Sequence, residues 1–185
     1  MSNTMLKVAM ATLIAAGCGS AVGAEPSPVY VGADAGTQFS NNTSLLRAYA
    51  GYKLGAEKVY AVELMVFTLG TESRVFQWGD YSYSGGNRLR ANGIGVNWAS
   101  ALPLNENWTL TSRLGGNYAH ATTRSRYAGG DSSYDRGGVT AGVGLAYRLN
   151  PNLSLTVDLS YMPVHLNAYE KNTRPTLGTG LRYNF

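Results

Sequence analysis

Residues 138–161 read GVTAGVGLAYRLNPNLSLTVDLSY, and this stretch decides the fold class. From Val139 to Leu149 every second residue is aliphatic or aromatic, and the residues between them are Gly, Thr, Ala or Arg. From Leu153 to Tyr161 the same alternation sets Leu, Val and Tyr against Ser, Thr and Asp. Period two is the spacing of a β-strand with two different faces. The stretch therefore predicts two antiparallel strands, joined by a tight turn, each with one apolar and one polar face.

The alternation extends through the rest of the chain. Six further strands are predicted, at 29–39, 44–54, 59–69, 88–98, 108–119 and in the segment that ends at Phe185. The strand at 88–98 is the least regular, because Leu89 and Ala91 fall out of phase with the residues that follow. A β-bulge near Asn92-Gly93 would restore the phase.

The connectors between these strands alternate in length. The short ones are 55–58, 99–107 and 150–152, and the long, polar ones are 70–87, 120–137 and 163–174; the connector at 40–43 breaks the rule by being short. Short turns on one side and long loops on the other are typical of outer-membrane barrels, whose strands run for about ten residues. The sequence thus predicts an all-β fold, an eight-stranded antiparallel up-and-down transmembrane β-barrel.

A soluble eight-stranded barrel is the alternative, with its apolar face turned inward. Two observations favour the membrane. Only 14% of the residues are charged, against about 25% in typical soluble domains. The aromatic residues also fall at two depths, as the aromatic girdles at the two membrane interfaces require. Near the turn side are Tyr30, Tyr52, Tyr60, Trp98, Trp108, Tyr147, Tyr183 and Phe185, and near the loop side are Phe39, Tyr118 and Tyr161.

The N-terminal residues 1–24 have the layout of a secretory signal peptide. Lys7 supplies the positive charge, and residues 8–16 form an apolar core that is shorter than the roughly 20 residues needed to span a bilayer. A cut after Ala24 would leave the barrel domain at 25–185. We therefore expect Sec-type export and a final position in the bacterial outer membrane.

The composition excludes several other classes of protein. The single cysteine, Cys18, excludes a disulfide framework and a cysteine-based zinc site. Lipidation of Cys18 is the lesser alternative to cleavage, because Ala15 stands where a lipoprotein box usually has Leu, Val or Ile. The net charge is +4, but no cluster of Lys and Arg indicates a nucleic acid partner. No His or Cys pair has metal-ligand spacing, so we expect no metal and no cofactor.

Six charged residues are predicted to lie on the inward, polar faces near mid-strand: Asp34, Arg47, Glu63, Arg113, Asp158 and Arg182. An eight-stranded barrel leaves an interior only wide enough for side chains, so each buried charge needs an opposite charge or several hydrogen bonds. We expect a structural network that fills the lumen, with Arg182 as its most sensitive cation because the strands of Asp34 and Asp158 adjoin its own. An ion gate or a catalytic acid pair is the alternative.

Three segments resemble the small eight-stranded outer-membrane barrels, in particular the transmembrane domain of outer membrane protein A. They are LNENWTLTSRLGG at 104–116, YRLNPNL at 147–153 and RPTLGTGLRYNF at 174–185. The resemblance implies that Phe185, with Tyr183 two residues before it, is the signal read by the barrel-insertion machinery. It also implies that Glu63 and Arg113 belong to a buried ionic cluster.

Other properties of that family find no support in the sequence. The family's inward cations on strands four and seven have no match, so gating behaviour is not carried over. The chain ends at Phe185 without the peptidoglycan-binding domain that often follows this barrel, and we expect no wall-anchoring role.

The two histidines raise an enzymatic alternative. Lipid A deacylases of similar size carry a His and a Ser two residues apart, and a hydroxyl nucleophile needs a nearby base. Here His120 has Thr122 at that spacing, and His165 has Asn167. No acid stands nearby in the sequence, so we expect no enzyme and two polar loop residues.

The long loops at 70–87, 120–137 and 163–174 are rich in Arg and Tyr. Arg suits phosphate groups, such as those of lipopolysaccharide, and Tyr with Ser and Gly makes a versatile contact surface. The expected function is structural and interactive, through envelope integrity, loop-mediated contacts or adhesion. The expected partners are outer-membrane lipid including lipopolysaccharide, the barrel-assembly machinery and a surface ligand of the loops. A lipid-modifying enzyme and a small-solute channel are the alternatives.

Overall fold

The computed structural model describes residues 27–38, 43–55, 57, 59–71, 76–78, 81–83, 88–124, 131–165, 171–172 and 175–185. The predicted signal peptide with Cys18 and the predicted girdle residue Phe39 lie outside the described residues. Within these ranges, no helix is long and apolar enough to cross a membrane.

Eight antiparallel strands close into one barrel, as the alternation predicts. Each strand pairs with those before and after it in the chain, and the last pairs with the first. They are β1 (Val29–Gln38), β2 (Thr43–Leu54), β3 (Tyr60–Thr71), β4 (Arg88–Pro103), β5 (Trp108–Arg124), β6 (Asp131–Arg148), β7 (Leu153–Tyr161) and β8 (Pro175–Asn184). The up-and-down topology is confirmed.

The strands are staggered around the barrel. The backbone N–H of Lys53 donates to the carbonyl of Pro28 at 2.8 Å. From Lys53, successive cross-strand partners lead around the wall to Gln38 on β1, ten residues beyond Pro28. A stagger of this size fixes the tilt of the strands and the width of the lumen.

The polar faces point inward and the apolar faces point outward. On β7 the residues Ser154, Thr156 and Asp158 are buried, whereas Leu155 and Val157 are exposed. Large aliphatic side chains are more than 60% exposed around the wall, among them Leu64, Ile94, Leu114 and Val139. A monomeric soluble protein rarely exposes so continuous an apolar surface, so this belt is suited to face hydrocarbon.

The wall brings large inward side chains to lie over glycines of the neighbouring strand. Four such cross-strand pairs line β1 to β4: Tyr30 with Gly51, Tyr49 with Gly32, Met65 with Gly95 and Phe67 with Gly93. A Cβ at any of these glycines would overlap the ring or thioether opposite. The glycines therefore create the space in which the four interior side chains pack.

Two short turns share one arrangement. The side-chain oxygen of Asn105 accepts from the backbone N–H of Asn107 (2.9 Å) and Trp108 (2.8 Å). The side-chain oxygen of Asn150 does the same for residues 152 (3.0 Å) and 153 (2.7 Å). Such Asx turns close the hairpins β4–β5 and β6–β7 with the same Leu-Asn-x-Asn sequence.

The predicted bulge at Asn92-Gly93 is wrong. Residues of β4 pair one-to-one with both neighbouring strands from Leu89 onward. Ala91 is fully buried on the inner face. A small side chain fits inside the barrel whatever its polarity, so the apolar character of Ala91 did not indicate which face of the strand it occupies. The strand also runs past its predicted end and leaves only 104–107 as the turn.

The predicted loop at 120–137 is wrong for most of its length. Residues of β5 and β6 stay paired up to Arg124 and Asp131. Backbone pairing needs no apolar side chain, so the polar sequence here marks contact with water and not the end of the strands. The other two predicted loops hold short paired segments, Phe76–Trp78 with Tyr81–Tyr83 and Val164–His165 with Lys171–Asn172.

The turn-side aromatic girdle is outward-facing except for Tyr30. Tyr52, Tyr60 and Trp98 are about half exposed, and the rings of Trp108 and Tyr147 pack at a tilt with their centres 4.9 Å apart. Tyr30 is only 3% exposed and lies inside the lumen, so its assignment to the girdle is wrong. The reason is strand parity, since Tyr30 shares the inward face of β1 with Asp34.

Candidate functional site

Five of the six predicted interior charges meet in one cluster at mid-barrel. Asp34, Arg47, Glu63, Arg113 and Asp158 are all at least nine-tenths buried, and they come from five different strands. Their contacts form a continuous chain across the lumen, which we call the ionic cluster.

Arg113 on β5 is the central cation. Its Nε donates to Glu63 at 2.7 Å, and its Nη1 donates to Asp158. Neither acid lies on a strand that pairs with β5. The guanidinium therefore joins β3, β5 and β7 through the interior, independently of the backbone ladder.

Arg47 on β2 completes the chain of contacts. Its Nε lies 3.1 Å and 2.9 Å from the two carboxylate oxygens of Asp34, and its Nη2 donates to Asp34 at 2.7 Å. The same Nη2 lies 3.6 Å from Asp158. Asp158 thus accepts a hydrogen bond from Arg113 and lies within ion-pair distance of Arg47. The charged hydrogen bonds from Arg47 to Asp34 and from Arg113 to Glu63 and Asp158 are of the strongest kind that side chains make.

Two tyrosines belong to the ionic cluster, and the sequence analysis missed both. The hydroxyl of Tyr30 donates to Glu63 at 2.7 Å. The ring of Tyr49 lies 5.0 Å from the guanidinium carbon of Arg113 and 5.8 Å from that of Arg47. A tyrosine on the polar face of a strand was the available signal, because such a ring must enter the lumen.

Arg182 does not occupy the place that strand order suggested. Its cross-strand partners are Gly32 and Ser154, whereas Asp34 and Asp158 lie nearer the loop side. Its guanidinium carbon lies 5.6 Å from the ring centre of Tyr30. The prediction that Arg182 directly neighbours both acids is therefore wrong: in the register of β8, Asp34 is opposite Gly180 and Asp158 is opposite Gly178.

The loop-side half of the lumen holds mainly apolar side chains, together with the buried polar residues Gln38, Thr43, Asn117 and Thr176. The buried apolar side chains above the ionic cluster are Leu45, Phe67, Leu69, Ala91, Ala119, Ala121, Met162 and Val164. Met162 and Val164 directly follow β7, and both are buried. A cavity beside Arg47, Arg113 and Asp158 has room for about one water molecule. The described side chains thus fill much of the lumen.

The predicted assembly residues lie at the turn-side rim. Phe185 packs against Tyr183, with ring centres 5.0 Å apart. The backbone N–H of Phe185 donates to Val29 at 3.2 Å. The side-chain amide of Asn152 donates to the carbonyl of Asn184 at 2.8 Å. The end of the chain is therefore held to both neighbouring strands.

His120 has an acidic neighbour that the sequence did not indicate. Asp135 is its register partner on β6, and Nδ1 of His120 lies 2.6 Å from the carboxylate. Thr122 Oγ1 lies 3.4 Å from Nε2 of the same ring. The side chain of His165 and all of Asn167 lie outside the described part. In that part, no group of three or more His, Cys, Asp or Glu could hold a metal ion.

Solved structures share this fold at low sequence identity. Neisserial surface protein A has a TM-score of 0.64 and 18% identity, covering 88% of this chain and 100% of that one. The N-terminal β-barrel domain of Pseudomonas aeruginosa OprF has a TM-score of 0.60 and 15% identity, covering 87% and 100%. Ail, the attachment invasion locus protein of Yersinia pestis, has a TM-score of 0.51 and 16% identity, covering 85% and 95%. No curated protein matches.

The family comparison is more decisive, because it spans nearly the whole chain. The model of the outer membrane protein beta-barrel domain matches residues 8–185. Together with the closed barrel and its exposed apolar belt, this match assigns the protein to the outer membrane. The chain belongs to the family of outer membrane protein β-barrel domains.

Proposed function

We propose that the protein is a structural and surface-contact barrel, which supports envelope integrity and acts outward through its loop-side face. The observation that carries this is the filled lumen. The ionic cluster occupies its middle, and its loop-side half holds mainly apolar side chains around Phe67 and Val164, with a few buried polar ones. With the interior so filled, contacts with lipid and external ligands are left to the outer wall and the loop-side segments.

The proposed partners are lipopolysaccharide, the barrel-assembly machinery and a ligand of the loops. The hairpin of β5 and β6 supports this proposal, because it extends beyond Tyr118 and presents paired, polar strands to solvent. Ail, named as an attachment invasion protein, shows that this fold is compatible with surface contact. Fold alone does not assign function, so the proposal depends on the closed interior and the exposed hairpin.

Two measurements on one strain set test the proposal. In planar bilayers the purified protein should give no discrete conductance steps; regular steps would support the small-solute channel instead. A deletion strain should be more sensitive to detergent and attach less to surfaces. The deletion strain should then be complemented with a variant in which the loop at 70–87 is shortened to the length of 40–43. This variant should restore detergent resistance but not attachment. If the deletion strain matched its parent in both assays, the proposal would fail.

A further inference from the structure

Three side chains on the outer face of β5 and β6 form an acid–imidazole–hydroxyl series. His120 and Asp135 are directly opposite each other, and Thr122 follows His120 on the same face of β5. The carboxylate of Asp135 is 2.6 Å from Nδ1, and the hydroxyl of Thr122 is 3.4 Å from Nε2. Each imidazole nitrogen thus has its own partner, and no other side chain separates them.

This order of groups is the one that activates a hydroxyl nucleophile. A carboxylate at Nδ1 fixes the tautomer in which Nε2 is free to accept a proton, and it stabilises the imidazolium that then forms. The hydroxyl at Nε2 can lose its proton as it attacks. A contact of 3.4 Å is at the long end of hydrogen bonding, as is common in free enzymes before substrate binds. We propose that Thr122, His120 and Asp135 form an esterase centre for acyl chains of membrane lipid.

The position of the series on the wall selects the substrate class. Tyr118, 55% exposed, lies one step along the same face of β5 towards the membrane, and Val139 on β6 is 64% exposed. The side chains of His120 and Asp135 are about half exposed. The series therefore stands just beyond the loop-side aromatic girdle, at the level where ester bonds join acyl chains to lipid headgroups.

Neighbouring side chains suit an anionic lipid. Arg90 on β4 is the register partner of Thr122, and it is exposed on the same outer face. A guanidinium beside the nucleophile can bind a headgroup phosphate or stabilise the oxyanion of the tetrahedral intermediate. Lipopolysaccharide and glycerophospholipid both contain an ester-linked acyl chain close to a phosphate group. Each is therefore tested as a substrate in a separate arm of the experiment.

The proposed reaction has two balanced steps. Thr122 Oγ1 attacks the ester carbonyl carbon while His120 takes the hydroxyl proton. The C–O bond to the lipid alcohol then breaks, and the alcohol leaves with that proton. In the second step water attacks the acyl-threonine, and His120 again takes and returns one proton. The products are a free fatty acid, the deacylated lipid and unchanged Thr122.

This activity goes beyond the structural and contact role proposed above, and its absence would leave that role untouched. A purely structural role is the alternative, because the contact between His120 and Asp135 also links β5 to β6. The two readings differ in whether a lipid ester is cleaved and in whether Thr122 becomes acylated.

The test uses the full chain, folded in detergent and checked for its folded gel form. Fatty acid release is measured by mass spectrometry from lipopolysaccharide in one arm and from phosphatidylethanolamine vesicles in the other. A fluorophosphonate probe then locates the reactive hydroxyl by peptide mapping. Variants Thr122→Val and His120→Gln should lower release by at least about 100-fold, and Asp135→Asn by at least about 10-fold.

Two matched variants keep the result interpretable. Thr122→Ser should retain release and probe labelling. Ser112→Ala, which removes another outward hydroxyl of β5, bonded to Ser100 at 2.8 Å, should change neither. Release from one lipid and not the other would identify the source of the ester. Release that survives Thr122→Val, or no release and no labelling in either arm, would overturn the proposal.

Discussion

Arg113 and Asp158 lie on strands that do not pair with each other, yet the guanidinium donates a hydrogen bond to the carboxylate across the lumen. With its second bond to Glu63, Arg113 ties three strands together in the barrel interior. Removing one partner of such a contact leaves uncompensated charge in a place that water reaches poorly. This geometry makes Arg113, and not Arg182, the cation on which the ionic cluster depends.

The first prediction compares these two arginines. Arg113→Met should lower the free energy of unfolding by about 3–5 kcal/mol, because Glu63 and Asp158 both lose the buried cation that donates hydrogen bonds to them. Arg182→Met removes only a guanidinium packed over the ring of Tyr30 and should cost about 1 kcal/mol. Urea unfolding in lipid vesicles, followed by tryptophan fluorescence, gives both values.

Bilayer conductance on the same two variants separates a network from a gate. In a structural network both variants remain closed, and only stability changes. An Arg113→Met protein of full stability that passed current would contradict the closed interior.

Much of the fold was accessible from the sequence, because period two reports faces directly. The inward charges Asp34, Glu63 and Asp158 and the outward belt all follow from parity along each strand. Parity also placed Tyr30 on the polar face, but its aromatic character suggested the girdle. Where the two signals conflict, the alternation along the strand is the better guide, because successive side chains of a paired strand point to opposite faces of the sheet.

Register was not accessible from the sequence, and two of the errors trace to it. Strand order shows that β8 lies between β1 and β7, but not that Arg182 faces Gly32 and Ser154. For the same reason Asp135 was not recognised as the partner of His120, fifteen residues away. Apolar alternation ends at the membrane surface, whereas pairing of β5 with β6 continues beyond it.

The second prediction tests the packing of large side chains over glycine. Gly51→Ala should destabilise the barrel by about 1–3 kcal/mol, because the new methyl group overlaps the ring of Tyr30. Gly116→Ala is the matched control, since the nearest heavy atom to its Cβ is 3.6 Å away. If Tyr30 is first replaced by Ala, which removes the ring, most of the cost of Gly51→Ala should disappear. Equal costs for Gly51→Ala in both backgrounds would argue against this packing.

The third prediction concerns closure of the barrel. Every strand edge is paired, including β1 with β8, so no edge is open to detergent. Unboiled protein should therefore migrate apart from boiled protein on a denaturing gel. Leu181 pairs with both Ala33 and Leu155, so Leu181→Pro should abolish the folded band. Leu104→Pro, which lies in a turn, should reduce the folded band less. Identical migration of the boiled and unboiled full chain would count against a closed barrel.

The last prediction separates assembly from stability at the end of the chain. Phe185→Ala should reduce the yield of protein in the outer membrane several-fold, as expected if Phe185 and Tyr183 form the signal for the insertion machinery. The folded structure predicts only a small loss of stability, about 0.5–1.5 kcal/mol, from the ring contact with Tyr183. Tyr118→Ala removes an exposed girdle ring far from the terminus and should leave the yield unchanged. Yield is measured by quantitative blotting of membrane fractions, and stability by urea unfolding of the purified variants. If the loss of yield for Phe185→Ala were matched by an equally large loss of stability in vitro, packing and not recognition would explain the role of the terminal aromatic residue.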